Sequence, residues 1–297
     1  MKKNNMLLAF VLNVSFTIIE IIGGILTNSI SIISDAIHDF SDSISIGIAL
    51  VLEKISKKKP NKKYTYGYLR YSILGALINL CVLTIGTTIV IYNAIPRLLN
   101  TEVVNYKGMI LLAILGVLVN GIGAFKTIKS SNLSEKVISL HLLEDVLTWA
   151  AVLVVSIVMN FTNLYILDPI LSLCISGIIL LNVFKNFKKV FDIFLEKVPL
   201  NIDIDKIKNE IVDNDKIIDL HHIHIWTMNG SNNYMTAHLK VNKSLNNDEI
   251  LVIKKDVKHK LSHMNIGHVT LEIEINEECD DNECNVEFDE NSLHHHH

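Results

Sequence analysis

The chain has 297 residues, 49% of them hydrophobic, and a formal net charge of −4. Apolar residues dominate up to about residue 190 and charged ones follow, so a lipid-embedded domain and a water-soluble domain are expected. Only acidic charges occur from Glu272 to Glu290, and no basic patch with interleaved aromatics is present, which excludes nucleic acid as a partner.

Six apolar stretches reach the roughly 20 residues that a bilayer crossing needs: 6–26, 31–52, 69–92, 108–128, 137–159 and 165–187. The first lacks an A-x-A-like cleavage site and is too long for a signal-peptide core, so it reads as retained. Only Thr27 to Ile30 separate it from the second, which makes the two a tight hairpin. Lysines mark one side of the membrane. Lys2 and Lys3 precede the first stretch, Lys54, Lys57, Lys58, Lys59, Lys62 and Lys63 follow the second, and Lys126, Lys129 and Lys136 lie at the end of the fourth and between it and the fifth. Lys185, Lys188, Lys189 and Lys197 surround the end of the sixth, whereas the opposite connections hold only Arg97 and Lys107. The positive-inside rule then puts both termini in the cytoplasm of a multi-pass protein in the cell membrane. The lysine-rich connection after the second stretch is either this topology signal alone or also a contact for anionic lipid headgroups. Arginine occurs only as Arg70 and Arg97, which points to an AT-rich bacterial genome.

Two strings of one spacing stand inside this apolar region. His38 precedes Asp42 by four residues in the second stretch, and His141 precedes Asp145 by four in the fifth. Residues four apart share a helix face, and each ionisable group at membrane depth costs about 2.5–3.5 kcal/mol on the insertion scale. A helix–helix hydrogen bond would explain a lone histidine or aspartate there, but it explains two copies of one spacing on two helices poorly. Four nitrogen and oxygen ligands suit tetrahedral Zn²⁺; the lack of thiolates argues against Cu(I), and two carboxylates are too few for Ca²⁺ or Mg²⁺.

Asp35 and Asp39 are candidates to orient His38 or to be solvated at a mouth of the site, and Glu20 and Glu144 are similar cases. Asn13, Asn79 and Asn120 read as interhelical hydrogen-bonding residues, and Gly23-Gly24, Gly75 and Gly121-x-Gly123 as points of close helix packing. Cys81 and Cys174 behave as small hydrophobes within the apolar stretches. No G-x-x-x-x-G-K-[ST] string occurs, so no nucleotide is expected to supply energy.

From residue 199 to 276 the pattern is α-β-β-α-β. Helical spacing covers 203–212 and 248–263, and alternation covers 216–228, 234–241 and 268–276, as in a three-stranded sheet backed by two helices, an α+β domain. Strict alternation puts His222 and His224 opposite Ile223 and Ile225, with His238, Glu272 and Glu274 at polar positions of the other strands. A second metal site across that face competes with ordinary surface histidines. Residues 277–297 form an acidic tail without apolar period, expected to be disordered. Its Cys279 and Cys284 could bind soft metal or remain solvated thiols, with no disulfide expected in a cytoplasmic setting. The run from Leu293 to His297 resembles the remnant of a purification tag and carries no metal argument.

The run from Asn28 to His38, ending at Asp42, resembles the second-span signature of the cation diffusion facilitator family. Tyr64-Thr65-Tyr66-Gly67-Tyr68 is similar to the entry to that family's third span, His141 to Asp145 to its fifth, Asp168-Pro169 to the start of its sixth, and His221 to Trp226 to the first strand of its soluble domain. The resemblance implies a homodimeric metal/proton antiporter with an all-α six-helix transmembrane domain (1–198) and a small ferredoxin-like cytoplasmic domain (199–276) that binds regulatory metal. It implies His38, Asp42, His141 and Asp145 as transport ligands of the zinc-preferring branch, and His221, His238, Glu272 and Glu274 as the soluble set. Where some members carry a metal site between spans two and three, this chain has lysines and tyrosines without histidine, so none is expected there.

The resulting expectation is export of Zn²⁺, or of Cd²⁺ or Co²⁺ with the same ligand preferences, by alternating access in exchange for protons, without an organic cofactor. A membrane metal sensor competes with it. So does an intramembrane metalloenzyme, although that would need an open coordination position and a base such as H-E-x-x-H supplies, and this string is absent.

Overall fold

The computed structural model describes residues 3–56, 58–128 and 133–275, and side chains within them except at 3–10, 12, 45–46, 49–50, 53–54, 56, 126–128 and 133–141. The acidic tail with Cys279 and Cys284 lies outside the described residues. Two compact units divide the chain, Met1–Lys188 and Lys189–His297.

In the first unit, helices run through each of the long apolar stretches: α1 (Lys3–Thr27), α2 (Ile30–Ser56), α3 (Tyr71–Leu99), α4 (Tyr106–Ile128), α5 (Leu133–Thr162) and α6 (Leu167–Phe194). Within the described residues, α3 and α6 and the stretches Tyr106–Phe125 and Leu142–Thr162 are each long and apolar enough to cross a membrane. The apolar part of α1 spans Asn13–Thr27, and α2 is interrupted by Asp35, His38, Asp39 and Asp42. Large apolar side chains such as Ile25, Leu111, Phe125 and Leu147 point outward, as on helices that face lipid rather than water.

Local chemistry explains how α2 is held. Asn28 turns the chain with φ 55°, a left-handed conformation that asparagine tolerates, and α2 starts two residues later. The orphan amides at the start of α2 meet a carboxylate from the start of α6. Fully buried Asp168 accepts from Ile30 N at 2.8 Å and from the hydroxyls of Ser29 and Ser31 at 2.6 and 2.5 Å. Arg97 at the end of α3 donates to the Asn28 carbonyl and side-chain oxygen at 2.8 and 2.7 Å. The ends of α1 and α3 and the starts of α2 and α6 thus converge on one turn.

Asn13 donates to Ser43 Oγ at 3.1 Å, and Asn79 accepts from Ser41 Oγ at 2.6 Å, so both join neighbouring helices to α2 as expected. Asn120 is buried, but its amide nitrogen finds no acceptor among the described residues. A Cβ at Gly75 would lie 2.5 Å from Ile48 Cγ2 and one at Gly123 3.0 Å from Leu142 Cδ1, whereas one at Gly121 would meet nothing closer than 4.0 Å among the described residues. Gly116, not singled out in the sequence, admits the buried ring of Trp149 where a Cβ would stand 2.3 Å away.

The second unit contains α7 (Ile204–Val212), β1 (Ile217–Thr227), β2 (Asn233–Val241), α8 (Asn247–His263) and β3 (Ile266–Glu274). The sheet order is β1-β2-β3, with β1 antiparallel and β3 parallel to β2, the latter requiring the α8 crossover. Asp203 caps α7, and Asn246 with Glu249 forms a capping box on α8. Ile207 and Ile211 of α7 and Ile253, Val257 and Leu261 of α8 bury one sheet face, meeting Leu220, Ile225, Met235, Leu239 and Leu271. Each such side chain contributes about 1.5–3 kcal/mol when fully buried. The opposite face carries the histidines.

Candidate metal centres

On α2, one turn brings His38 Nε2 to 3.7 Å from Asp42 Oδ2, with the two side chains 22% and 25% exposed. This is the helical face that the spacing predicts. The α5 helix lies in contact with α2. Asp145 on it is buried, while the side chain of His141 lies outside those described.

Three further carboxylates, Asp35 and Asp39 on α2 and Glu20 on α1, are buried in the same unit. Asp35, Asp39 and Glu20 are 3%, 4% and 1% exposed, which puts them in the interior rather than at an open mouth. Asp39 interacts electrostatically with Asp145, His38 and Asp42, and Glu20 with Asp39, Asp35 and Asp145. Glu144, by contrast, is exposed on α5. The arrangement offers imidazole nitrogen and several carboxylate oxygens inside an apolar unit, a donor set for a divalent cation of borderline softness.

On the open face of the sheet, His221, His238 and Glu274 each present a ligand atom, all within 4.8 Å of one another. The Glu274 carboxylate is 3% exposed and sits between two imidazoles, 2.6 Å from His238 Nδ1 and 3.3 Å from His221 Nε2. Glu272 reaches His238 Nε2 at 3.4 Å from an exposed position. His221 is in turn backed by Asp219, 3.4 Å from its Nδ1. Burial works against the Asp219 carboxylate, yet hydrogen bonds from Lys208 and the Leu220 amide, with the charges of Lys208 and His221, hold it below the usual range.

Strict alternation misplaces the histidines of β1. The register passes from His221↔His238 to His224↔Thr236, so β1 carries one residue more than β2 between these pairs. That extra residue is a β-bulge with His222 at φ 48°. The bulge turns His221 onto the face of His238 and keeps His224 there. His222 is displaced from the ladder and stacks on the His238 ring at 4.7 Å. Asp219 as a support of His221 went unforeseen; the acid two residues before a histidine on an alternating strand was the available signal.

Tyr64 and Tyr68 of the connection between α2 and α3 form an aromatic cluster with Tyr71, the first residue of α3, and Lys58 Nζ lies 6.0 Å from the Tyr68 ring.

Known sequences agree with both units. The model of the cation efflux transmembrane domain matches residues 6–195, and that of the cation efflux protein cytoplasmic domain matches residues 199–276. A Bacillus subtilis protein named as a cadmium, cobalt and zinc/H⁺-K⁺ antiporter is 33% identical over 99% of this chain and 97% of its own length. The zinc transporter ZitB of Yersinia pseudotuberculosis is 32% identical over 98% and 95%, and the metal cation efflux system protein CzcD of Cupriavidus metallidurans 29% over 90% and 85%. With both domain models matched in order and relatives aligned nearly end to end, the chain belongs to the cation efflux family.

Proposed function

We propose that this protein exports a divalent metal, zinc above all, from the cytoplasm in exchange for protons. It is a transporter and not an enzyme. The observation that carries the reading is the His38–Asp42 pair on a helix that contacts α5, amid carboxylates buried in an apolar unit. The names of the relatives, which include zinc, cadmium and cobalt as cargo, support it. In this reading α1 to α6 all cross the membrane, His38, Asp42, His141 and Asp145 hold the cargo, and both termini are cytoplasmic. Residues 199–276 form a ferredoxin-like domain that joins two copies, with His221, His238, Glu272 and Glu274 as a regulatory zinc site.

The chemistry follows from charge. Zn²⁺ takes neutral imidazole and ionised carboxylate, so loading the site expels protons and protonating it expels metal. An imidazole in water titrates near pH 6.5, between a neutral cytosol and a more acidic exterior. Asp42 and Asp145 with Glu20, Asp35 and Asp39 make five carboxylates, and one divalent ion balances two of their charges. Exchange for protons keeps that compensation as the metal leaves. The Asp168 clamp ties the starts of α2 and α6, so motion of the ligand-bearing helix is best accommodated away from that end.

Zinc flux into proteoliposomes bearing a pH gradient tests this. Uptake that requires an opposite proton gradient and fails in Asp42→Asn is the expected result. Zinc binding without flux would leave a sensor instead.

A further inference from the structure

Helix α8 carries a set of metal-ligand side chains on its outer surface, away from the sheet. Ile253, Val257 and Leu261 face the core, whereas Asp256, His259 and His263 are exposed. At about 100° per residue these three fall within roughly 60° of arc, one stripe along the helix. The two imidazoles already converge: Nε2 of His263 is 3.4 Å from Nε2 of His259, with ring centroids 4.6 Å apart.

That separation has a chemical meaning. Two nitrogens bound at 2.0–2.1 Å to one tetrahedral Zn²⁺ are about 3.4 Å apart, whereas a right-angled octahedral pair would be nearer 3.0 Å. Asp256, one turn before His259, lies 4.0 Å from Lys260 Nζ; its carboxylate does not meet both imidazoles in this rotamer, so supplying an oxygen takes a turn of its exposed side chain. We infer that Asp256, His259 and His263 form a second zinc-binding site on the soluble unit, with water completing the tetrahedron. It lies on the opposite side of the sheet from His221 and His238, because α8 packs against the face those histidines leave.

Its chemistry is N,N,O, the same class as the sheet cluster, but every ligand is exposed and one position is open to water. Lys255 and Lys260 flank the stripe on either side and oppose a cation. The site therefore exchanges metal rapidly and binds it more weakly than buried ligands would. It suits Zn²⁺, Co²⁺ and Cd²⁺, and it does not suit Mg²⁺, which demands oxygen.

Residue-resolved histidine modification tests the site on the full-length protein. Diethyl pyrocarbonate acylates free imidazole nitrogen, and mass spectrometry reads each histidine separately. With excess Zn²⁺, acylation of His259 and His263 should slow together by about tenfold or more, since a coordinated nitrogen is not nucleophilic; Mg²⁺ should not slow it. Equal rates with and without Zn²⁺, or protection of only one of the two, would overturn the site. In His263→Gln, His259 should lose its protection. In Asp256→Asn, several-fold more Zn²⁺ should be needed at His259 and His263 while protection of His221 and His238 is unchanged. If the Asp256→Asn zinc dependence matched that of the parent protein, the carboxylate would not be a ligand and the three-residue assignment would fail.

Discussion

The two clusters of this cation efflux protein use similar ligands but are built by different means. On α2, His38 and Asp42 meet because a helix repeats every 3.6 residues, so spacing in the chain becomes proximity in space. On the sheet, His221, His238 and Glu274 come from three strands, and a one-residue bulge decides which histidine joins them. Helical clusters are therefore robust to neighbouring sequence, whereas the sheet cluster depends on a single backbone irregularity. Their surroundings differ too. The groups on α2 stand among other carboxylates, while Glu274 is flanked by two imidazoles.

The contrast is sharpest in transport. Asp145→Asn should lower zinc flux in proteoliposomes by more than about tenfold, because losing even an outer partner of a metal ligand commonly costs 10–100-fold. Full-rate flux would remove Asp145 from the cargo site. In the soluble domain the core should dominate stability. Leu239→Ala is expected to cost about 2–5 kcal/mol by chemical denaturation of the sheet, since Leu239 is fully buried beneath both helices.

A smaller change should break the sheet cluster through its backbone. His222→Val places a β-branched residue at φ 48°, at a cost of about 1–2 kcal/mol, and should weaken zinc binding at His221 and His238 without removing a ligand. Unaltered affinity in calorimetry would mean that the bulge is not what aligns them.

The least effect concerns acid. The Asp219 carboxylate is held below its ordinary range in the fold, so its contribution is present above about pH 4 and is lost as the pH falls through the lowered value. Lys208→Gln removes the ammonium 2.9 Å away and should flatten that acid limb by a few tenths of a kcal/mol, because the pair is largely solvated. An unchanged limb would assign the acid sensitivity elsewhere.

The order of helices and strands was readable in advance because apolar periods of 3.6 and 2 report local geometry. All three strands and both helices of the soluble unit lie within two residues of their expected starts, as does the face that bears His238 and Glu272. The histidine alternation failed at His222 for a definite reason: period two carries no information about an inserted residue. Asp35 and Asp39 were ambiguous between interior and mouth, since a helical period gives direction but not depth, and their burial comes from what packs around α2.

Local rules thus settle what lies close in the chain: helix faces, caps such as Asn246 with Glu249, and the His38–Asp42 pair. Contacts between distant segments follow from packing, which no local period encodes. Asp168 reaches back 138 residues to cap α2 at Ile30, Trp149 enters the space left by Gly116, and Glu274 settles between His221 and His238. Each depends on desolvation and hydrogen-bond demand at a place where the chain meets itself again, and that place exists only once the helices and strands have packed.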